Sequence, residues 1–138
     1  MSSPTPAAST ATASLRVGVD LVATQAVAQS IASFGDRYLQ RIFTAGELAD
    51  STTEQGEPST LKLAARFAAK EATLKVLRPD HRWYDWRSIE VRKAGSGWAE
   101  LHLHGEAAMQ AEAQGLRSFS LSLSHECEYA IAVVIGSA

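Results

Sequence analysis

Leu15-Arg16-Val17-Gly18-Val19-Asp20-Leu21-Val22 alternates and is β-branched, which predicts a strand. Asp20 is its odd residue, since a carboxylate buried there without a partner would be costly. It reads either as a strand end or helix N-cap, or as a metal ligand at the strand's end. From Val22 to Phe34 the period changes. Val22, Ala23, Ala26, Val27, Ile31 and Phe34 recur at helical spacing until Gly35-Asp36 breaks it. Tyr38, Ile42 and Phe43 continue on a short helix, with Arg37 and Arg41 four apart on its other side. Thr44-Ala45-Gly46-Glu47 fits a capping box that opens a short helix ending by Asp50. Ser51 to Ser59 is polar and turn-rich, and Pro58 suits the first turn of a following helix. That helix is expected from about Ser59 to Leu77. Leu61, Ala64 or Ala65, Ala68, Ala72 and Val76 form one face, and Pro79 stops it.

Beyond Pro79 the pattern returns to strands. Pro79 to Trp86 is an aromatic loop whose Trp83 and Trp86 read as packing anchors. Ser88 to Lys93, with Ile89 and Val91 on one face, and Trp98 to His104, with Trp98, Leu101 and Leu103, are strands joined by the turn Ala94-Gly95-Ser96-Gly97. Gly105 to Gln114 is helical, and Gly115 is a suitable residue just past its end. Arg117, Phe119, Leu121 and Leu123 then alternate with Ser118, Ser120, Ser122 and Ser124, a strand with one apolar and one hydroxyl face. His125 to Glu128 turns it into Tyr129 to Ile135, an almost wholly apolar strand whose outer-facing edge must be covered. The order β-α-α-α-β-β-α-β-β, with short turns between sequential strands, predicts an α+β class. An antiparallel sheet would pack against the long central helix.

Composition narrows the possibilities. The chain has 138 residues, enough for one domain, expected over residues 15–138. Residues Met1 to Ser14 are Ser, Thr, Ala and Pro without charge or period, the composition of a disordered tail. Apolar residues at 46% and charged residues at 20% are ordinary for a packed protein. A net charge of −2 gives no reason to expect nucleic acid. No apolar run approaches the roughly 20 residues that span a bilayer, so no membrane is expected. The single cysteine, Cys127, excludes an internal disulfide and is compatible with a reducing, cytoplasmic interior.

Polar residues in three places carry the chemistry. Glu71 and Lys75 lie four apart on one helix face, and Arg66 and Lys70 four apart on a neighbouring one. Taken alone, the first pair is an ordinary surface ion pair. Asp20 ends the first strand, and Ser124-His125 ends the penultimate one. Two carboxylates from different elements, with open positions for water and phosphate, suit Mg²⁺. Lys75 could neutralise a phosphate oxygen beside such a metal, and Arg66, Lys70 and His125 could hold further phosphate.

Four motifs, in this order and spacing, resemble holo-acyl-carrier-protein synthase, the small class of 4′-phosphopantetheinyl transferases. They are Val17-Gly18-Val19-Asp20-Leu21-Val22; Arg41-Ile42-Phe43-Thr44 with Glu47; Arg66-Phe67-Ala68-Ala69-Lys70-Glu71-Ala72 with Lys75; and Leu121-Ser122-Leu123-Ser124-His125 before Tyr129-Ala130-Ile131-Ala132. The resemblance covers about Arg16 to Ile135. It implies transfer of 4′-phosphopantetheine from coenzyme A to a serine of an acyl carrier protein, with release of 3′,5′-ADP. It implies Asp20 and Glu71 as ligands of Mg²⁺, Glu71 as the candidate base, and Asp20, Glu71 and Lys75 as the catalytic set. Arg66, Lys70, Lys75, Ser124 and His125 become coenzyme A contacts. A homotrimer with active sites between protomers is also implied. Where the family's first helix usually presents a basic residue to acidic carriers, Thr24-Gln25-Ala26-Val27 has none, leaving Arg37 and Arg41 as the nameable carrier-protein surface. That departure suggests a variant serving a dedicated polyketide or fatty-acid synthase. The alternative is a non-catalytic module of the same fold that binds coenzyme A or a carrier protein.

Overall fold

The computed structural model describes residues 15–138, so the tail expected over Met1 to Ser14 lies outside the described residues. In chain order the elements are β1 (Leu15–Ala23), α1 (Thr24–Phe34), α2 (Asp36–Ile42), α3 (Ala45–Asp50), α4 (Thr60–Leu77), a 3-10 turn (Trp86–Ser88), β2 (Ile89–Lys93), β3 (Ala99–Leu103), α5 (Gly105–Ala113), β4 (Ser118–His125) and β5 (Tyr129–Ser137). The α+β class stands. Four helices separate β1 from β2, one more than the element order read from the sequence; Gly35 at φ 54° ends α1 at the predicted break and lets α2 start in a new direction.

The strands form two antiparallel sheets, β1-β5-β4 and β2-β3, rather than one. The apolar final strand is central, so both its edges are paired and only its outer face is left open. On the inner face Ala130, Ala132 and Val134 are fully buried, with Phe119, Leu121 and Leu123 partly so. Helix α4 packs across this face, with Ala64, Ala68, Ala72 and Val76 fully buried. Leu63 is fully buried, whereas Leu61 is only partly so. Pro58 lies outside the helix and bridges to Thr52, while Ser59 caps it, its Oγ accepting from the Lys62 N–H at 3.3 Å. At the other end Arg78 adopts the left-handed region at φ 49° and the helix stops before Pro79.

Two glycines set how closely helix and sheet approach. A Cβ at Gly18 would collide with the Ala72 carbonyl oxygen, and one at Gly136 would meet Val76 Cγ1 at 2.7 Å. Small residues on both sides bring β1 against α4. The register of β1 has a second consequence: Arg16, Gly18, Asp20 and Val22 face α4, while Leu15, Val17, Val19 and Leu21 face outward and are 48–66% exposed. Trp98 departs from the sequence expectation. Strand alternation puts Ala99, Leu101 and Leu103 on the inner side, so Trp98 has the opposite parity and is exposed.

Candidate active site

Asp20, Glu71 and Lys75 meet where β1 crosses α4. The Gly18–Ala72 approach holds the strand close, and two residues on Asp20 points at the helix. Lys75 Nζ donates to the Val19 carbonyl at 2.8 Å and to Asp20 Oδ1 at 3.3 Å. Asp20 Oδ2 is buried with no hydrogen-bond partner among the described residues. Glu71 is half-buried, and its carboxyl is pushed above the usual carboxylate range by burial first and by Asp20 second, with Lys75 opposing. Among the described residues Glu71 makes no ion pair with Lys75, so the surface-pair reading of that helix face is set aside. Tyr38 stands nearby. Its phenol is pushed up to about 12 by burial and then by the charge of Glu71.

These residues fit a divalent cation. An unpartnered buried carboxylate oxygen, beside a second carboxylate that it repels, is the arrangement a positive charge would relieve. Both donors are hard oxygens, as Mg²⁺ prefers. No third His, Cys, Asp or Glu joins them among the described residues, so water and substrate oxygens would complete the set.

A second cluster lies on the other side of α4. Glu71 is five residues beyond Arg66, so at about 100° per residue their side chains diverge by roughly 140°. Arg66 is 7% exposed; its Nε donates to the Val91 carbonyl at 3.3 Å and its Nη1 to the Lys62 carbonyl at 3.4 Å. It lines a groove of about 440 Å³ together with Lys62, Lys93, Trp98, Ser122 and His125. His125 also lines an adjoining hollow that contains Ser124. Ser124 pairs with Ile131 on the outer face of the sheet, whereas Asp20 pairs with Ala132 on the inner face. Two strand spacings, roughly 10 Å, also separate β1 from β4. Within one chain Arg66, Ser124 and His125 therefore do not converge with Asp20 and Glu71.

Lys70 joins neither cluster, which corrects its expected role as a coenzyme A contact. It is fully buried, and its ammonium donates to Glu47 Oε1 at 2.8 Å, to the Trp86 carbonyl at 3.0 Å and to the Ile89 carbonyl. All three donors are used. Glu47 completes the predicted capping box with Thr44 and also accepts from the Val91 N–H at 2.9 Å through Oε2. Burial holds the Lys70 ammonium below its ordinary pKa, with Glu47 opposing.

Arg37 and Arg41 are exposed on α2 and line a groove of about 330 Å³ with Phe34, Tyr38, Ile42 and Trp86. Tyr38 links that groove to Glu71. Sequence reading missed Tyr38 because it fits the apolar period of α2. It missed Lys62, Lys93 and Trp98 because only the fold gathers them; the single sequence signal was Lys62 one turn before Arg66.

The profile of the 4′-phosphopantetheinyl transferase superfamily matches residues 16–134. The chain belongs to this superfamily. Its relatives place it, more narrowly, among the holo-acyl-carrier-protein synthases. The synthase of Koribacter versatilis is 39% identical over 122 residues, 88% of this chain and 96% of the relative. That of Dehalococcoides mccartyi is 40% identical over 122 residues, 88% and 97% of the two chains. Among solved structures, the synthase–coenzyme A complex of Chronobacterium ammoniagenes has a TM-score of 0.76 at 29% identity, covering 89% of this chain and 96% of that one. The Neisseria meningitidis synthase has a TM-score of 0.75 at 31% identity, covering 88% and 97%. No helix among the described residues is long and apolar enough to cross a membrane.

Proposed function

We propose that this chain moves 4′-phosphopantetheine from coenzyme A to a serine of an acyl carrier protein, at sites completed between the protomers of a homotrimer. The observation that carries this reading is the paired carboxylates of Asp20 and Glu71 beside Lys75, with Oδ2 of Asp20 left unpartnered. Asp20 and Glu71 would hold Mg²⁺, which supplies charge stabilisation at the diphosphate of the donor. The serine oxygen forms a bond to the β-phosphorus, and the bond from that phosphorus to the bridging oxygen breaks. 3′,5′-ADP leaves with the electron pair. Glu71 receives the serine proton at its carboxylate. Lys75, 56% exposed and able to swing from Asp20, neutralises phosphate oxygen as the nucleotide departs.

Arg66, Ser124 and His125 contact coenzyme A from the neighbouring protomer. Their separation from Glu71 around α4 supports a shared site, since within one chain the two clusters face different directions. The outer sheet face supports assembly. Val17, Val19 and Leu21 on β1 stand beside Ile135, Val133 and Ile131 on β5, an apolar surface left open in the single chain. Arg37 and Arg41 receive an acidic carrier, and the uncharged α1 beside them makes docking less electrostatic. The cytoplasm is the compartment this reading assigns.

The test is incubation with coenzyme A, Mg²⁺ and an apo carrier protein, read by intact mass. Wild type adds one phosphopantetheinyl group. Glu71→Gln, shown to be folded by circular dichroism, loses at least about a hundredfold in rate. A near-wild-type rate in that variant would remove Glu71 from the mechanism.

A further inference from the structure

Trp98 is the most exposed large apolar side chain among the described residues, at 79%. An aromatic of this size ordinarily buries about 150–250 Å². Here it contributes little to the core, because the parity of β3 turns it outward. The backbone that carries it is a closed turn. Gly97 adopts φ 91°, its N–H donates to the Ala94 carbonyl at 2.8 Å, and the Ala94 N–H donates to the Trp98 carbonyl at 2.8 Å. This turn places Trp98 at the lip of the 440 Å³ groove that also contains Lys62, Arg66 and Lys93. The groove's carboxylate, Asp50, is occupied: Oδ2 accepts from Arg92 Nε at 2.9 Å and from the Lys93 N–H at 3.0 Å. Arg92 holds its carboxyl below the usual range. Leu121 and Leu123 add apolar lining.

A flat aromatic, three cations and apolar lining together match a phosphorylated nucleoside, whose base stacks while its phosphates meet the cations. The volume is of the size small-ligand sites use. We infer that Trp98 is the stacking platform for the donor's nucleotide base, with Lys62 and Lys93 joining Arg66 at the attached phosphate. This rests on the transferase reading above and extends it to residues that carry base recognition. Because stacking tolerates any base, the platform favours a nucleotide donor over a pantetheine diphosphate lacking one, without selecting adenine strictly.

The experiment compares wild type, Trp98→Ala and Trp98→Phe in two ways. One is the KM for coenzyme A. The other is competition by 3′,5′-ADP and by ribose 3,5-bisphosphate, which has the phosphates and no base. Expected is about a tenfold rise in KM and in the 3′,5′-ADP inhibition constant for Trp98→Ala, equivalent to about 1.4 kcal/mol. Inhibition by ribose bisphosphate stays unchanged, and Trp98→Phe recovers most of the loss. Thermal stability and oligomeric state are the same in all three. The inference is overturned if Trp98→Ala transfers with an unaltered KM, if both competitors weaken equally, or if its effect tracks a changed oligomeric state. If wild type transfers nothing and binds no 3′,5′-ADP, the transferase reading itself fails and this inference with it.

Discussion

At the residue scale, adjacent side chains in Lys70-Glu71 do unrelated jobs. Lys70 is fully buried and bonded on all three donors, whereas Glu71 is half-buried beside a like charge. Removing one member of a buried pair strands the other charge. Lys70→Met is therefore expected to lower stability by about 3–5 kcal/mol in chemical denaturation. The fraction that remains folded keeps its KM for coenzyme A. An unchanged denaturation midpoint with a raised KM would return Lys70 to the substrate. Glu71 behaves oppositely without metal. Its pKa is raised in the fold, so its charged form is disfavoured there relative to the unfolded chain. The resulting penalty is absent below the unfolded pKa and develops as pH rises through the folded one. In a chelator at neutral pH, Glu71→Gln should melt higher than wild type. That advantage should shrink as pH falls into the ordinary carboxylate range, and Mg²⁺ should raise the melting temperature of wild type more than that of the variant. No such difference on melting with and without Mg²⁺ would remove the paired-carboxylate account.

At the scale of elements, the site depends on how near β1 comes to α4. Gly18 has no room for a Cβ against the Ala72 backbone. Gly18→Ala is expected to cost about 1–3 kcal/mol, as overpacking does. It should also lower kcat beyond what the stability loss explains, because Asp20 moves with the strand. A variant with altered stability and full kcat would show that the approach is only structural. The elements themselves were largely legible in the sequence. The Thr44/Glu47 capping box, the long helix to Leu77 and the serine-alternating β4 all follow from local pattern, and local pattern is what periodicity reports. Trp98 was misplaced because aromatics favour strands and it sits beside one; only the strand's parity says which way it faces. The role of Lys70 was not legible either. Its partners, Glu47 and the carbonyls of Trp86 and Ile89, lie 16 to 23 residues away and reach it only through packing.

On the scale of the whole molecule, the sequence motifs divide into two groups on opposite sides of α4. Asp20, Glu71 and Lys75 form one and Arg66 with His125 the other. The order of motifs along the chain does not reveal this division, because order carries no information about which face of a helix or sheet a residue occupies. On the proposed shared site, copies associate through the apolar outer face of β1 and β5, which would bring opposite faces of different chains together. The most direct test mixes two inactive variants, Glu71→Gln and Arg66→Ala, denatured together at equal amounts and refolded, then assayed for transfer to an apo carrier protein. If Glu71 and Arg66 of one site come from neighbouring protomers, random assembly restores both to about a quarter of the sites, and the mixture regains about a quarter of wild-type activity. If the mixture stays as inactive as either variant alone, while refolded wild type recovers fully, the site lies within one chain and the shared-site account is wrong.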